Sequence, residues 1–335
     1  MSTVRTHSPV NRMKSIIAKL GAALSLLSAA AAGIAQPYPD RPIQLVVGFP
    51  PGGGVDIVAR QLAERLSEQL GQRVTVENRA GAAGNVAMEH VARSRADGYT
   101  LLMGNLGMLS ANPALYAKLS FDPARDFQPV ARVVVTPLVA VVPASLPAQT
   151  LAQFLALARA KPGELNYGSG GNGNINHLAG ELLKLNAGVQ LQHVPYKGSA
   201  PALTDLAAGR VQLMVDGGNV VQPFVRDGRA RALMMTGEAR SAANPDLPTA
   251  KEAGLADFVI YGWQGVLVPT GTSPAVIERL SQEVARALAA PDLKMRLSAQ
   301  GTEPAYLPPA QFQAFINAEQ KRWSEVIRAA KITLD

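Results

Sequence analysis

The chain has 335 residues, of which 47% are hydrophobic and 17% charged, and it contains 30 Gly, 24 Pro and no Cys. This composition excludes a disordered chain, a collagen and a small disulfide-held protein. Without Cys there is no thiolate nucleophile and no Cys-ligated zinc. The formal net charge of +7 suggests a basic protein, but part of that charge is concentrated at the N-terminus.

The first 35 residues have the pattern of an export signal. Four basic residues and no acidic one occupy residues 1–19, and the run 20–34 is almost wholly apolar and small. A basic start, an apolar run of about 15 residues and small residues at its end predict a cleavable secretory signal peptide. The alternative is a membrane anchor, which normally needs about 20 apolar residues.

Removal of this segment leaves a mildly charged protein. Four of the 32 basic residues and none of the 25 acidic ones lie in residues 1–35, so the remainder has a net charge of +3. No run of Lys and Arg alternates with aromatic residues, so we expect no nucleic-acid partner. No later segment has 18 uncharged apolar residues, and we expect the mature protein to be soluble.

Strand and helix patterns alternate in two separate parts of the chain. In each part a short β-rich run leads into a Gly-rich loop, and an apolar pattern at helical spacing follows. The first part has strands at 43–47, 74–76 and 99–103 and helices at 55–70 and 85–93. The second has strands at 165–167, 189–194 and 211–215 and helices from 175 and at 201–208. This alternation predicts two α/β units with largely parallel sheets.

Two apolar, β-branched stretches, residues 130–142 and 258–268, link these units. We interpret them as crossings between two lobes, with the C-terminal helices completing the first lobe. The predicted lobes are residues 36–136 plus 262–335 and residues 137–261. Two crossings between two α/β lobes predict a hinged cleft.

Each Gly-rich loop precedes a helix and is a candidate anion site. The first turn of a helix leaves backbone N–H groups unpaired and carries partial positive charge. Glycine lets a ligand approach the backbone closely. Such a site suits a small carboxylate without Lys or Arg. The alternative, that residues 52–54 form only a strand-to-helix turn, does not explain why the loop 168–173 repeats the arrangement.

Three kinds of enzyme site fit the residues poorly. The loop 168–173 matches the dinucleotide-binding glycine pattern, but the next strand end has no acid. Ser169 lies near a nucleophile-elbow pattern, but Tyr167 replaces its first Gly and no His follows Asp216. His90, His177 and His193 lack partners at metal-ligand spacing, and His177 could line a pocket or pack. We therefore expect no catalysis, no cofactor and no metal, and keep a Ser169-dependent hydrolase as the alternative.

Other polar residues fall at strand ends. Asn105, Tyr196 and Asp216 lie at or just past predicted strands, where ligands of parallel sheets bind. Trp263 and Gln264 lie in the second crossing, where hinge packing and ligand contact are both open interpretations.

Six stretches resemble one known family, the periplasmic substrate-binding proteins of tripartite tricarboxylate transporters, or Bug family. They are residues 38–43, 49–56, 77–85, 97–102, 167–173 with 177–181, and 194–198. The resemblance extends from about residue 38 to the C-terminus. It implies an α/β, type II-like periplasmic binding protein fold with two hinge crossings. It also implies capture of a small organic carboxylate by closure of the cleft and delivery to membrane transporter subunits.

The resemblance also implies the binding residues. In the first lobe they are Phe49, Gly52, Gly53 and Asp56, with Asn105 at a position where the family more often has small hydroxyl residues. In the second lobe they are Ser169, Gly170, Asn172, Gly173, His177, Tyr196 and Asp216. We expect a monomer. A module that senses a ligand for a signalling receptor would need the same cleft, and the sequence does not identify the carboxylate.

Overall fold

The computed structural model describes residues 38–241 and 244–334. The predicted signal peptide lies outside these residues. The fold described below is that of the compact unit that begins at Arg41. Across the described ranges, no helix combines the length and apolar character that crossing a membrane requires.

The first α/β part begins with β1 and α1, joined by the first Gly-rich loop. Helix α1 forms because Val58, Leu62 and Leu66 recur on one buried face, and Gly71, at φ 64°, ends it. The elements of this part are β1 (Ile43–Val47), α1 (Gly54–Leu70), β2 (Val74–Asn78), α2 (Asn85–Ala92), β3 (Thr100–Asn105) and α3 (Asn112–Leu115). A π-helical turn, Gly107–Ala111, connects β3 to α3.

A 17-residue strand, β4 (Phe127–Pro143), leads into the second part. That part contains α4 (Leu151–Ala160), β5 (Asn166–Ser169), α5 (Ile175–Ala187), β6 (Gln192–Pro195), α6 (Ser199–Ala207), β7 (Met214–Gly217), α7 (Gly218–Arg226) and β8 (Ala230–Met235). The chain then forms β9 (Tyr261–Pro269), α8 (Pro274–Ala289), α9 (Pro291–Ser298), β10 (Glu303–Leu307) and α10 (Pro309–Ala329).

Strand β4 takes part in the sheets of both lobes. Its first half lies between β10 and β9 in the order β10-β4-β9-β3-β1-β2, and its second half pairs with β7 and β8. The change of partner is abrupt, since Pro137 pairs with Tyr261 of β9 and Leu138 pairs with Gly217 of β7. Strand β9 is the second crossing. The two-lobed α/β fold with two crossings is thereby confirmed.

The sheets are mixed rather than largely parallel, because β4 and β9 run antiparallel to their neighbours. The parallel strands of the two lobes nevertheless point at each other. Strand β3 is antiparallel to β9, and β9 is antiparallel to β4, so β3 and its parallel neighbour β1 run along β4 toward the second lobe. Strand β7 is antiparallel to β4 and therefore runs toward the first lobe, and β5 is bridged to it in parallel. The carboxyl ends of β1 and β3 in one lobe and of β5 and β7 in the other, and the loops that follow these strands, consequently point at the space between the lobes.

Helix α10 packs against the second crossing. Trp263 is 1% exposed and forms edge-to-face contacts with Phe312 and Phe315 of α10. Its indole N–H and that of Trp323 both donate to Oε2 of Glu319, each at 3.1 Å. Trp263 is therefore a packing residue that attaches the C-terminal helix to the hinge strand.

Candidate ligand-binding site

The first Gly-rich loop, residues 49–54, and the residue that follows it have three backbone N–H groups without an acceptor. Gly52, Gly53 and Gly54 are exposed, and Gly53 precedes α1 with no side-chain cap. Within the part of the chain that the structure describes, the N–H groups of Gly53, Gly54 and Val55 donate no hydrogen bond. These groups point out of an uncapped helix N-terminus, which is the arrangement that binds small anions.

Side chains of the same lobe hold this loop. Asp56 is 2% exposed, and its Oδ2 accepts the Gly52 N–H and Arg60 Nε, both at 2.9 Å. Its Oδ1 accepts Asn78 Nδ2 at 2.8 Å, and Asn78 also donates to the Phe49 carbonyl. Burial raises the pKa of Asp56, but the bonds from Arg60, Gly52 and Asn78 outweigh it and lower the pKa. Asp56 thus engages both carboxylate oxygens in shaping the loop.

The second Gly-rich loop, residues 168–174, is satisfied largely by its own lobe. The Gly171 N–H donates to Ser169 Oγ at 3.1 Å, and the Gly173 N–H donates to His177 Nδ1 at 3.1 Å. The Gly170 N–H points at Oδ1 of the buried Asn176 at 3.4 Å. This loop therefore presents fewer open N–H groups than a bare helix N-terminus would, and its conformation is fixed before a ligand binds.

The second loop also reaches the first lobe. A Cβ atom placed on Gly173 would lie 2.7 Å from Leu115 Cδ1 of α3. A Cβ atom on Gly262 of β9 would lie 3.6 Å from Cδ1 of Ile175, the first residue of α5. The second loop and the start of α5 thus lie against the first lobe and the hinge strand.

Behind Ser169 lies a stack of three rings. The imidazoles of His177 and His193 are parallel with centroids 3.9 Å apart, and Tyr167 stacks on His193 at 4.9 Å. Burial lowers the pKa of His177, and burial and the neighbouring His177 lower the pKa of His193 to about 3. Both imidazoles are therefore neutral at pH 7, which keeps His177 Nδ1 available as the acceptor for the loop.

The Ser169 and His193 pair resembles a nucleophile with its base, because Ser169 Oγ and His193 Nε2 are 2.6 Å apart. Other features argue against that chemistry. Ser169 is fully buried, and a base with a pKa near 3 is a poor proton acceptor at neutral pH. Glu181, the carboxylate beside the stack, accepts instead from Tyr167 and Lys184. The contact between Ser169 and His193 therefore supports the conformation of the second Gly-rich loop.

The remaining predicted residues differ in solvent exposure and in whether their polar groups already make hydrogen bonds. Asn172 is exposed at the tip of the second loop. Tyr196 donates its hydroxyl to Asp205 at 2.8 Å, and burial, followed by that bond, raises its pKa to about 12. Asn105 Oδ1 accepts the Met108 N–H at 3.0 Å. Asp216 is 6% exposed at the end of β7.

The structure therefore gathers the predicted residues at two facing sheet edges. A cavity of about 800 Å³ elsewhere in the second lobe, beside residues 149–152 and 244–248, is lined by none of them. Sequence reasoning did not identify the support that Asn176 and His193 give to the second loop. Neither residue carries a sequence signal, since Asn176 is an ordinary residue on α5 and His193 lies further along the chain on β6.

Sequence comparisons show the family to which the chain belongs. The family model described as tripartite tricarboxylate transporter family receptor matches residues 58–332. The protein BugT of Bordetella pertussis is 37% identical over 317 residues, which are 94% of this chain and 97% of BugT.

Solved structures of the same kind superpose over nearly their whole length. Rpa4515 of R. palustris with adipate gives a TM-score of 0.80 at 38% identity, covering 88% of this chain and 99% of that one. MatC of Rhodopseudomonas palustris with bound malate gives 0.74 at 33%, covering 87% and 100%. BugD, described as a periplasmic binding protein, gives 0.76 at 32%, covering 88% and 99%.

The two-lobed fold, the two facing loops and the comparisons together identify the chain as a periplasmic-type solute-binding protein. The chain belongs to the tripartite tricarboxylate transporter receptor family, which includes the Bug proteins.

Proposed function

We propose that the mature protein is a periplasmic receptor that captures a small organic carboxylate between its lobes and delivers it to membrane transporter subunits. The observation that carries the proposal is the pair of facing sheet edges, with the open N–H groups of Gly53, Gly54 and Val55 at one edge and the preorganised second loop at the other. The carboxylate is held at first contact by the α1 N-terminus. Support comes from relatives solved with adipate and malate.

Closure is a bending of the two crossings. The lobe bounds that we propose, residues 36–136 plus 262–335 and residues 137–261, lie within one residue of the point where β4 changes partner, between Pro137 and Leu138. Bending there moves the second loop relative to the first without breaking a sheet inside either lobe. The closed form is the one that a transporter, or alternatively a signalling receptor, distinguishes from the empty form.

Phe49, Gly52, Gly53 and Asn105 are the proposed contacts of the first lobe, with Asp56 acting on the ligand through the loop it shapes. In the second lobe we propose Ser169, Gly170, Asn172, Gly173, His177, Tyr196 and Asp216. Because Ser169 and His177 are buried and bonded to their own loop, their proposed part is to hold its backbone in the binding conformation.

The test is binding of unmodified protein to mono- and dicarboxylates of two to seven carbons. We expect at least one acid to raise the melting temperature, with about 2.7 kcal/mol of stabilisation at 100 times Kd. Isothermal titration then measures its stoichiometry, expected to be one. Neutral diamides of the same acids are the matched controls and should produce no shift. If none of the acids binds, the proposal is wrong.

We also propose that the chain catalyses no reaction. The measurement is release of product from short-chain p-nitrophenyl esters by wild-type protein and by Ser169→Ala. Both rates should equal the buffer blank. Turnover by wild-type protein that disappears in Ser169→Ala would establish the hydrolase alternative.

A further inference from the structure

Two leucine side chains of the first lobe meet at one glycine of the second Gly-rich loop. A Cβ atom placed on Gly173 would lie 2.7 Å from Leu115 Cδ1 and 3.4 Å from Leu334 Cδ2. The space that a side chain at position 173 would need is therefore occupied by these leucines. Leu115 is 9% exposed and Leu334 is partly buried. We call this apolar contact between the lobes the latch.

Leu115 lies on a helix that is attached to the first lobe. It is the last residue of α3, and Asn112 at the start of that helix is 2% exposed. Asn112 Nδ2 donates to the Ala83 carbonyl at 3.1 Å and to Asn85 Oδ1 at 2.8 Å. These bonds attach α3 to the turn that precedes α2, so the position of Leu115 is set by the first lobe.

Leu334 lies in the tail that follows α10. The Ile332 N–H donates to the Ile327 carbonyl at 3.0 Å, so the chain turns back at the end of the helix. Both Ile332 and Leu334 then pack against the apolar cluster that includes Leu115. The tail is therefore the second first-lobe segment that reaches the latch.

Gly173 is held just as firmly by the second lobe. Its N–H donates to His177 Nδ1 at 3.1 Å, and its φ of +73° is one that favours glycine. Because Gly173 has no side chain, the leucines reach the backbone of the loop itself. The latch thus joins a fixed part of one lobe to a fixed part of the other.

The latch lies on the same side of the two crossings as the proposed cleft. Helix α3 follows the carboxyl end of β3 through the π-helical turn, and the second loop follows the carboxyl end of β5. These are the two edges that face each other across the space between the lobes. Bending of β4 and β9 that moves the edges apart consequently moves both leucines away from Gly173, so the latch is present only when the lobes are together.

We infer that Leu115 and Leu334 are positioning residues, which hold the second Gly-rich loop beside the first lobe and so favour the closed arrangement of the lobes. The driving force is the removal of leucine side chains from water. The apparent Kd of a ligand rises as the population of the binding-competent arrangement falls. The latch therefore sets the balance between open and closed lobes before a ligand contributes, whichever carboxylate is bound.

The test measures the separation of the lobes in protein without added ligand, by electron paramagnetic resonance between two spin labels. The sequence has no Cys, so Ala80→Cys and Lys197→Cys provide two defined attachment points. Both positions are exposed, and they follow β2 and β6, whose carboxyl ends belong to the two facing edges. In Leu334→Ser we expect the mean distance between the labels to increase by about 2 Å or more.

Three further variants separate a latch from general damage to the tail. Leu115→Ala removes the same contact from α3 and should also lengthen the distance. Leu334→Met keeps an apolar side chain of similar size and should restore the wild-type distance. The matched control is Ile332→Ser, because Ile332 is partly buried in the same tail but lines a groove with first-lobe residues such as Ala114 and Ile327. This control should leave the distance unchanged.

Each result decides the inference. Longer distances in Leu334→Ser and Leu115→Ala, with rescue by Leu334→Met, support it. Wild-type distances in both leucine variants overturn it, and so does an equal increase in Ile332→Ser. Because the distances are measured without ligand, failure of every carboxylate to bind would refute the proposed function and leave this result standing.

Discussion

Oδ2 of Asp56 accepts the backbone N–H of Gly52 at 2.9 Å, four residues earlier in the chain. The bond closes the first Gly-rich loop around a buried carboxylate before any ligand arrives. Gly52 can take its place in that loop because its φ of +81° is one that other residues rarely adopt. Asp56 and Gly52 thus fix the conformation of the loop, and the neighbouring N–H groups are left without a hydrogen-bond acceptor.

Replacing Asp56 should loosen this loop. Asp56→Ala leaves Gly52, Asn78 and Arg60 without their shared acceptor, and we expect a loss of about 1–3 kcal/mol in the free energy of unfolding and weaker ligand binding. Urea denaturation and titration measure the two effects. Arg60→Gln is the control, because it removes only the exposed end of the ion pair and should cost less than about 1 kcal/mol. Equal losses in both variants would contradict the role given to Asp56.

The same carboxylate predicts a pH dependence. Because the pKa of Asp56 is lowered in the folded protein, its contribution is complete above the unfolded value of about 3.9 and is lost as the pH falls through the folded value. Asp56→Asn should therefore lose less stability than wild type below pH 4. Denaturation curves between pH 2.5 and pH 6 measure the difference, and parallel curves would show that Asp56 is not the group responsible.

A side chain on Gly53 should block the ligand and spare the fold. Gly53 has an ordinary φ of −76°, and an added Cβ would meet only the Pro50 carbonyl oxygen at 3.6 Å. Gly53→Val should keep the wild-type melting temperature within a few degrees and weaken carboxylate binding at least about 10-fold, which is about 1.4 kcal/mol. Gly53→Ala should have a smaller effect of the same sign.

Gly170→Val is a poor substitute for that experiment. A Cβ on Gly170 would lie 2.8 Å from Asn174 Nδ2 and 3.4 Å from the Gly198 carbonyl carbon. The variant should lose stability as well as binding. If Gly53→Val bound the carboxylate as tightly as wild type does, the first loop would not be part of the binding site.

The histidine stack should make stability depend on pH. His193 stays neutral in the folded protein because its pKa is lowered to about 3, whereas an unfolded histidine titrates near 6.5. The stabilising contribution is therefore present above pH 6.5 and declines as the pH falls toward 3, by at most about 1.4 kcal/mol per pH unit for one proton. His193→Gln should flatten the slope between pH 6.5 and pH 4. His90→Gln, outside the stack, is the control and should keep the wild-type slope.

Glu319 should be important for the hinge packing. It is the shared acceptor of the buried Trp263 and Trp323 indoles. Glu319→Ala leaves two buried donors unpaired, and we expect a loss of about 2–5 kcal/mol. Glu319→Gln retains an acceptor oxygen and should lose much less. Chemical denaturation followed by tryptophan fluorescence measures both, and equal losses would contradict the role of Glu319 as the hydrogen-bond acceptor of the two indoles.

Much of the fold could be predicted because its signals are local. The apolar spacing of α1 and the β-branched run of β4 identify these elements in the sequence. Other elements lack such signals. Strand β10 has the sequence Glu-Pro-Ala-Tyr-Leu, whose Pro disfavours a strand, and α7 contains Pro223, which interrupts the helical pattern. Both elements are held by tertiary contacts with β4.

The candidate site could be predicted only in outline. A Gly-rich loop after a strand is visible in the sequence, so both loops were found. Which donors remain open is not visible, because it depends on contacts such as Ser169 with His193, 24 residues away. The face presented by Gln264 likewise depends on the packing of α10.

Strand β4 connects the two lobes through one continuous stretch of backbone. The same backbone forms the middle of one sheet and, after Pro137, part of the other, so a twist imposed at either end is transmitted through an unbroken covalent path. A chain cut at that proline would divide the strand that pairs with β9 and β10 in one lobe and with β7 and β8 in the other. The proposed closure therefore bends the same strand that belongs to the sheets of both lobes.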